Sequence, residues 1–271
     1  MSENNPVQNT LQPRVIGFIN YIGLLTLVKR EVGRFLKVYS QTIIAPVVTT
    51  LLFYTVFALA FGGVARQVGN VPFLQFLAPG LIMMTMAQNA FANTSSSLII
   101  GKIQGNIVDT LMPPLSALEV FVGFLIGGVL RGLCVGLMAV IIIGFFVHLP
   151  ITSFGLILCF AVLGNMMMAT MGIIAGIWAD KFDHIAAFTN FFVTPLTFLS
   201  GTFYSIDILP DPWRLMALYN PFFYMIDGFR SGFLGHADEF AVIGIAFLFV
   251  VNLLLMGLTY WMLKAGYKIK S

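Results

Sequence analysis

Few side chains in this sequence could do chemistry, and their spacing argues for binding rather than catalysis. The three histidines, His148, His184 and His236, are scattered and form no H-E-x-x-H pair for a metal. Cys134 and Cys159 both fall inside apolar runs, which indicates neither a disulfide framework nor a thiolate metal site. Ser200-Gly201 has no evident base partner for a nucleophile. Gly101-Lys102 is followed by Ile103 and lacks the upstream glycine of a G-x-x-x-x-G-K-[ST] phosphate loop. The chain is therefore expected to have no catalytic residue, to bind no metal or cofactor, and to take no nucleic acid partner.

What remains is the chemistry of docking, and it is concentrated in residues 93–119, a polar interruption between two long apolar runs. Ile99, Ile103, Ile107 and Leu111 recur at every fourth position, which is one stripe of a helix. Gly101, Lys102, Gln104, Gly105, Asn106 and Asp109 fill the other sides, and Met112 precedes Pro113-Pro114, which stops the helix. The pattern predicts a short amphipathic helix at a membrane surface, joining two spanning helices. Its apolar stripe could grip a partner or lie on the membrane.

Two further charged features stand out. Residues 15–39 read as an amphipathic segment with Val28, Val32, Phe35 and Tyr39 on one face and Arg30, Arg34 and Lys37 on another. Such a basic helix lies in the lipid headgroup layer, and Lys29, Arg30, Glu31 and Arg34 are candidate partner contacts. Arg131 lies within an apolar run, 12 residues past Glu119 and so about 18 Å deep at helical rise. A cation there normally finds a partner or a wet cavity. Backbone carbonyls, an amide such as Asn165 or Asn190, or an outer acid reached by snorkelling are the options. Holding the fold together and contributing to transport are both open to it.

The elements that position these groups follow from composition. Of 271 residues, 59% are hydrophobic and 9% charged, against about 25% charged in soluble domains, so the chain is a polytopic helical membrane protein. Six candidate spans cover 41–64, 73–96, 120–147, 153–179, 185–203 and 240–264. The polar start, 1–14, reads as a disordered tail with no cleavable signal. With the N-terminus in the cytoplasm, Arg14, Lys29, Arg30, Arg34, Lys37, Lys102, Lys181, Lys264, Lys268 and Lys270 lie inside, and only Arg66, Arg214 and Arg230 lie outside. Both termini are then cytoplasmic. In the third span Gly123 and Gly127, and Gly128, Gly132 and Gly136, repeat every four residues, a spacing that lets helix backbones approach in lipid. Asp211-Pro212 and Asn220-Pro221 each start a helix too short to cross, the second ending before Gly235. Together they predict a hairpin dipping into the outer half of the membrane, either anchored by its aromatics or lining an exit path. Pro195 is expected to kink the span before it.

At this point the pattern resembles the permeases of the ABC-2 exporter family. Phe76-Leu77-Ala78-Pro79-Gly80-Leu81-Ile82-Met83-Met84 is similar to the family's opening of the second span, and residues 101–114 to its coupling-helix segment. Ser200-Gly201-Thr202-Phe203-Tyr204, Leu209-Pro210, Asn220-Pro221 and Asp227-Gly228-Phe229-Arg230 resemble its outer stretch. Two positions depart from the pattern: Asp109 stands where relatives often carry Glu, and Gly105 where they often carry Arg.

The resemblance implies an all-α transmembrane fold. It would comprise six spanning helices, an N-terminal interface helix (15–39), a cytoplasmic coupling-helix region (97–119) and a re-entrant outer hairpin (203–239), all in one permease domain over 15–271. It also implies a bacterial inner-membrane homodimer with two copies of a cytoplasmic ATPase subunit, ATP and Mg being bound by that partner. The substrate would be an amphiphile such as a lipid, a glycoconjugate or a hydrophobic drug. Gly101, Lys102, Gln104, Gly105, Asn106, Asp109, Met112 and Pro113 would then form the ATPase contact, flanked by Lys29, Arg30, Glu31 and Arg34. The alternative is an ion-coupled secondary transporter or channel. Those place acids or histidines in their spans, where this sequence offers only Arg131.

Overall fold

A computed structural model describes residues 19–61, 67–69, 71–235 and 238–268. The expected tail, 1–14, and the first residues of the 15–39 segment lie outside them. The described chain is almost entirely helical. Helix α1 (Tyr21–Lys37) turns through a π-helical corner, Ser40–Ile44, into α2 (Ala45–Phe61). A two-residue hairpin, β1 (Gln67–Val68) against β2 (Val71–Pro72), leads into α3 (Phe73–Ile103). The short α4 (Ile107–Leu111) precedes α5 (Ala117–Gly144) and α6 (Phe154–Trp178). Then come α7 (Phe182–Phe188), a π turn at Thr189–Val193 and α8 (Thr194–Phe198). The outer stretch holds a 3-10 turn at Ile206–Ile208, α9 (Asp211–Leu218) and α10 (Pro221–Leu234), and α11 (Asp238–Ala265) closes the chain.

Among the described residues, four helical stretches are long and apolar enough to cross a membrane: Ser40–Phe61, Ala117–Gly144, Phe154–Trp178 and Ala241–Ala265. The other two expected spans take different forms. Helix α3 is long enough, at 31 residues, but its inner half is diluted by Asn89, Asn93, Thr94 and Ser95. These are buried against neighbouring helices rather than exposed, so protein satisfies what lipid could not. The segment expected over 185–203 is broken into α7, the π turn and α8, with Pro195 at the start of α8, where its missing N–H and fixed φ are tolerated.

Helix α3 is the axis of the molecule, packed by α2, α5, α6 and α10. The glycine rows of α5 explain how it fits. A Cβ on Gly127 would fall 2.6 Å from Glu31 Cβ of α1, and one on Gly128 would fall 2.7 Å from Thr94 of α3 and 2.8 Å from Ala169 of α6. One row therefore seats α1 and the other seats α3 and α6, as their spacing predicts. Beside Gly128, Thr94 of α3 donates to the Ala169 carbonyl of α6 at 2.8 Å; separately, Asn252 of α11 donates to the Leu163 carbonyl of α6 at 3.1 Å.

Candidate functional site

The stretch expected to form one amphipathic helix is two pieces. Helix α3 runs on to Ile103, the chain breaks at Gln104–Asn106 with Gly105 at φ +73°, and α4 restarts for five residues. A left-handed residue inside the pattern resets the helical phase, so the four-residue stripe does not continue across it. Ile99 is buried in the bundle while Ile103 is exposed. The expected polar positions divide accordingly. Gln104, Gly105, Asn106, Asp109, Met112 and Pro113 are exposed, and Gly101 is half-buried against Ile107. Met112 has 77% of its surface free, an apolar side chain standing out of a polar turn.

Lys102 is different. Its ammonium turns inward and donates to the carbonyls of Ile177 at 2.9 Å and Ala179 at 2.5 Å, with the Asp180 carboxylate at 3.7 Å. It thus caps the C-terminus of α6, where a helix presents unsatisfied carbonyls and partial negative charge. Lys268, past the end of α11, binds the other Asp180 oxygen at 2.9 Å. That bond is the main reason the Asp180 carboxyl is held below the usual carboxylate range.

The charged residues of α1 also separate. Its buried stripe is Leu27, Glu31 and Phe35, while Tyr39 of the expected apolar face is exposed. Lys29 is exposed. Arg30 donates through Nη1 to Thr110 Oγ1 of α4 at 2.8 Å, which fastens α4 to α1. Glu31, 1% exposed, accepts from Ser97 at 2.9 Å and from Arg30 and Arg34 at 3.3 Å each. Arg34 donates to the Asn93 carbonyl at 2.7 Å and to its Oδ1 at 3.0 Å. The start of α1 is tied down as well: the Asn20 amide donates to Glu119, which forms a capping box with Ser116 at the head of α5.

Arg131 donates to Asn89 Oδ1 at 3.0 Å, an amide other than the two named from the sequence. Asn165 points at Gly132 instead. Asn89, Asn93, Ser96 and Ser97 are spaced i, i+4, i+7 and i+8, one face of α3. That face carries a polar ladder from Arg131 at mid-helix through Arg34 and Glu31 to Arg30 and Thr110 at α4. Its partners Arg131, Arg34 and Glu31 come from α5 and α1, far away in sequence, which is why sequence reasoning missed the ladder.

Residues 23–234, most of the chain, match the ABC-2 type transporter family. The chain belongs to that family. It is 36% identical over 233 residues to the inner membrane transport permease YadH of Escherichia coli (strain K12), covering 85% of this chain and 91% of that one. It is 24% identical over 203 residues to nodulation protein J of Rhizobium leguminosarum bv. viciae, covering 70% of this chain and 74% of that one. The protein is thus a transport permease of an ABC transporter and a multi-pass inner-membrane protein, and permeases of this family work with an ATPase subunit.

Two more features of this ABC-2 permease stand out. A groove of about 440 Å³ opens between α2, α3 and α8. Because α2 and α3 are antiparallel, with Thr50 and Thr85 hydroxyls 2.6 Å apart, its lining grades along its length. Gln41, Thr85, Gln88 and Asn89 lie toward α4, and Phe57, Phe198 and Phe203 toward the outer stretch. The second feature is Arg230 of α10. Counted outside by the charge reading, it is 4% exposed and spreads its guanidinium over the Phe76 ring at 3.7 Å. It donates to the carbonyls of Phe76 at 3.1 Å and Gly201 at 2.9 Å, so α10 is locked to the start of α3 and to the turn after α8.

Proposed function

We propose that this permease is one half of a homodimeric exporter driven by two copies of a separate cytoplasmic ATPase subunit, which binds ATP and Mg. Residues 15–271 act as one permease unit behind the tail 1–14. Helices α2, α3, α5, α6, the α7–α8 segment and α11 are its six spans, both termini lie in the cytoplasm, and α9–α10 form a re-entrant outer hairpin. The cargo is an amphiphile: a lipid, a glycoconjugate or a hydrophobic drug.

The observation that carries this reading is α4 and the turn before it. Asp109, Asn106 and Met112 project outward from a short helix held from behind by the Arg30–Thr110 bond. A docked helix needs an exposed apolar anchor, a polar rim and a rigid mount, and all three are present. The exposed face of α2, which this chain packs along one side only through Val47, Thr50 and Tyr54, supports a second copy.

The test is reconstitution with the cognate ATPase in vesicles. Wild-type permease should stimulate ATP hydrolysis and move cargo. Asp109→Lys and Met112→Glu should insert and fold yet lose stimulation by about tenfold or more, the scale of a hot-spot truncation above 1.4 kcal/mol. Full stimulation in both variants would take α4 out of the contact.

A further inference from the structure

The polar ladder holds more donors than acceptors. Three cations, Arg30, Arg34 and Arg131, face one carboxylate, Glu31, and among the described residues no acid lies within ion-pair reach of Arg131. Arg131 and Arg34 bind Asn89 and Asn93, one turn apart on α3, so their guanidinium groups are neighbours along one helix face. Three buried nitrogens on this face have no hydrogen-bond partner: Arg34 Nε, Arg131 Nε and Asn93 Nδ2. Asn93 is 0% exposed, so no bulk water serves it. All three are donors; the other two unpartnered buried atoms among the described residues, Asn165 Oδ1 and Asn252 Oδ1, are acceptors and belong to α6 and α11. Buried donors without acceptors are costly, and two cations sharing one depth in a membrane are costlier still. The chemistry absent from the ladder is negative charge with several acceptor oxygens.

The groove supplies the other half of the description. Asn89, which Arg131 holds, also lines the polar end of the 440 Å³ groove, and Phe57, Phe198 and Phe203 line its far end. A ligand filling it would set an oxygen-rich head near Asn89 and an apolar chain against the phenyl rings. We propose that Asn89 and the Arg131 guanidinium bound to it, with Arg34 and Asn93 behind them, form an anion site that receives the negatively charged head of an amphiphile lying in the groove. This rests on the export reading for its purpose, and narrows the cargo from amphiphiles in general to anionic ones with a phosphate- or carboxylate-type head. Recognition would be by charge-assisted hydrogen bonds from guanidinium to head oxygens, strengthened by the apolar surroundings.

Binding to the purified permease alone tests the site without the ATPase. Radiolabelled hexadecyl phosphate, in a neutral detergent, should bind saturably and at least about tenfold more tightly than a hexadecyl glycoside of the same chain, the scale of one charge-assisted hydrogen bond. Inorganic phosphate at equal concentration should not compete, which separates a headgroup from a free anion. Arg131→Gln should abolish the preference and Arg131→Lys restore part of it. Equal affinity of wild-type protein for the charged and neutral amphiphiles overturns the proposal, whatever the fate of the variants. Effective competition by inorganic phosphate, or a preference that survives Arg131→Gln, also overturns it. The export reading is decided separately by reconstitution: charge-selective binding without ATPase stimulation sinks export, and stimulation without charge selectivity sinks the anion site.

Discussion

Lys102 and Asp109 lie seven positions apart and face opposite ways. Lys102 closes the end of α6, while Asp109 is exposed on α4. Lys102→Ala should therefore cost stability, about 1–2 kcal/mol for the lost charge-assisted cap, while ATPase stimulation per folded molecule persists. Asp109→Lys should do the reverse, leaving stability within about 0.5 kcal/mol and losing stimulation. Thermal unfolding in detergent, read beside ATPase assays, separates the two. The same fastening has a pH signature. The Asp180 carboxyl is depressed by its hydrogen bond from Lys268, so its contribution is complete above the unfolded aspartate value of about 3.9. That contribution fades as pH falls through the lower, folded value. Hydrogen exchange at the C-terminal turn of α6 should accelerate across that acid window, and Asp180→Asn should be fast at every pH. Gly105 carries a caution for mutagenesis at this site. At φ +73° any bulky residue is strained by about 1–2 kcal/mol, so loss of coupling in Gly105→Trp mixes strain with steric block.

At the scale of elements, α5 shows what a residue pattern conveys and α4 what it does not. The glycines of α5 act as their four-residue spacing predicts, one row accepting α1 and the other α3 and α6. Gly128→Leu should overpack Thr94 and Ala169 and destabilise by about 1–3 kcal/mol or more, whereas Gly144→Ala, with nothing within 4 Å, should be silent. Folded yield and melting temperature after solubilisation check the contrast. The local pattern of caps and prolines also placed α9 and α10, through Asn220 capping Phe222 and Gly235 at φ +75°. It failed where a span is polar for reasons of packing. Asn93, Thr94 and Ser95 mark a helix sheltered by α5 and α6, and no local signal separates that from a helix leaving the membrane. Glu31 was legible as a charge on an amphipathic helix, but its burial depends on Gly127, nearly a hundred residues away. Arg230 was read as an outer charge because only the fold brings Phe76 and Gly201 to it.

At the scale of the whole molecule, polar and aromatic surfaces lie at opposite ends of the bundle. At one end stand α4, the fastened start of α1 and the Lys102–Asp180–Lys268 cluster. At the other stands α9, with Trp213, Leu215, Met216 and Tyr219 exposed. Exposed Trp and Tyr suit a membrane–water boundary, where an apolar ring meets a wet rim. Basic groups around α1 and α4 suit the cytoplasmic boundary by the positive-inside rule. Both α3 and α6 run from one end to the other, so a bundle that crosses the membrane along them would put the two surfaces in different compartments. In a background lacking Cys134 and Cys159, Asn106→Cys and Trp213→Cys place one thiol on each surface. In right-side-out vesicles a membrane-impermeant maleimide should label position 213 directly and position 106 only after permeabilisation. Labelling of both from outside would contradict a bundle that crosses the membrane between them. The reversed pattern would put α4 beyond the reach of any cytoplasmic ATPase, and the proposed coupling would fail with it.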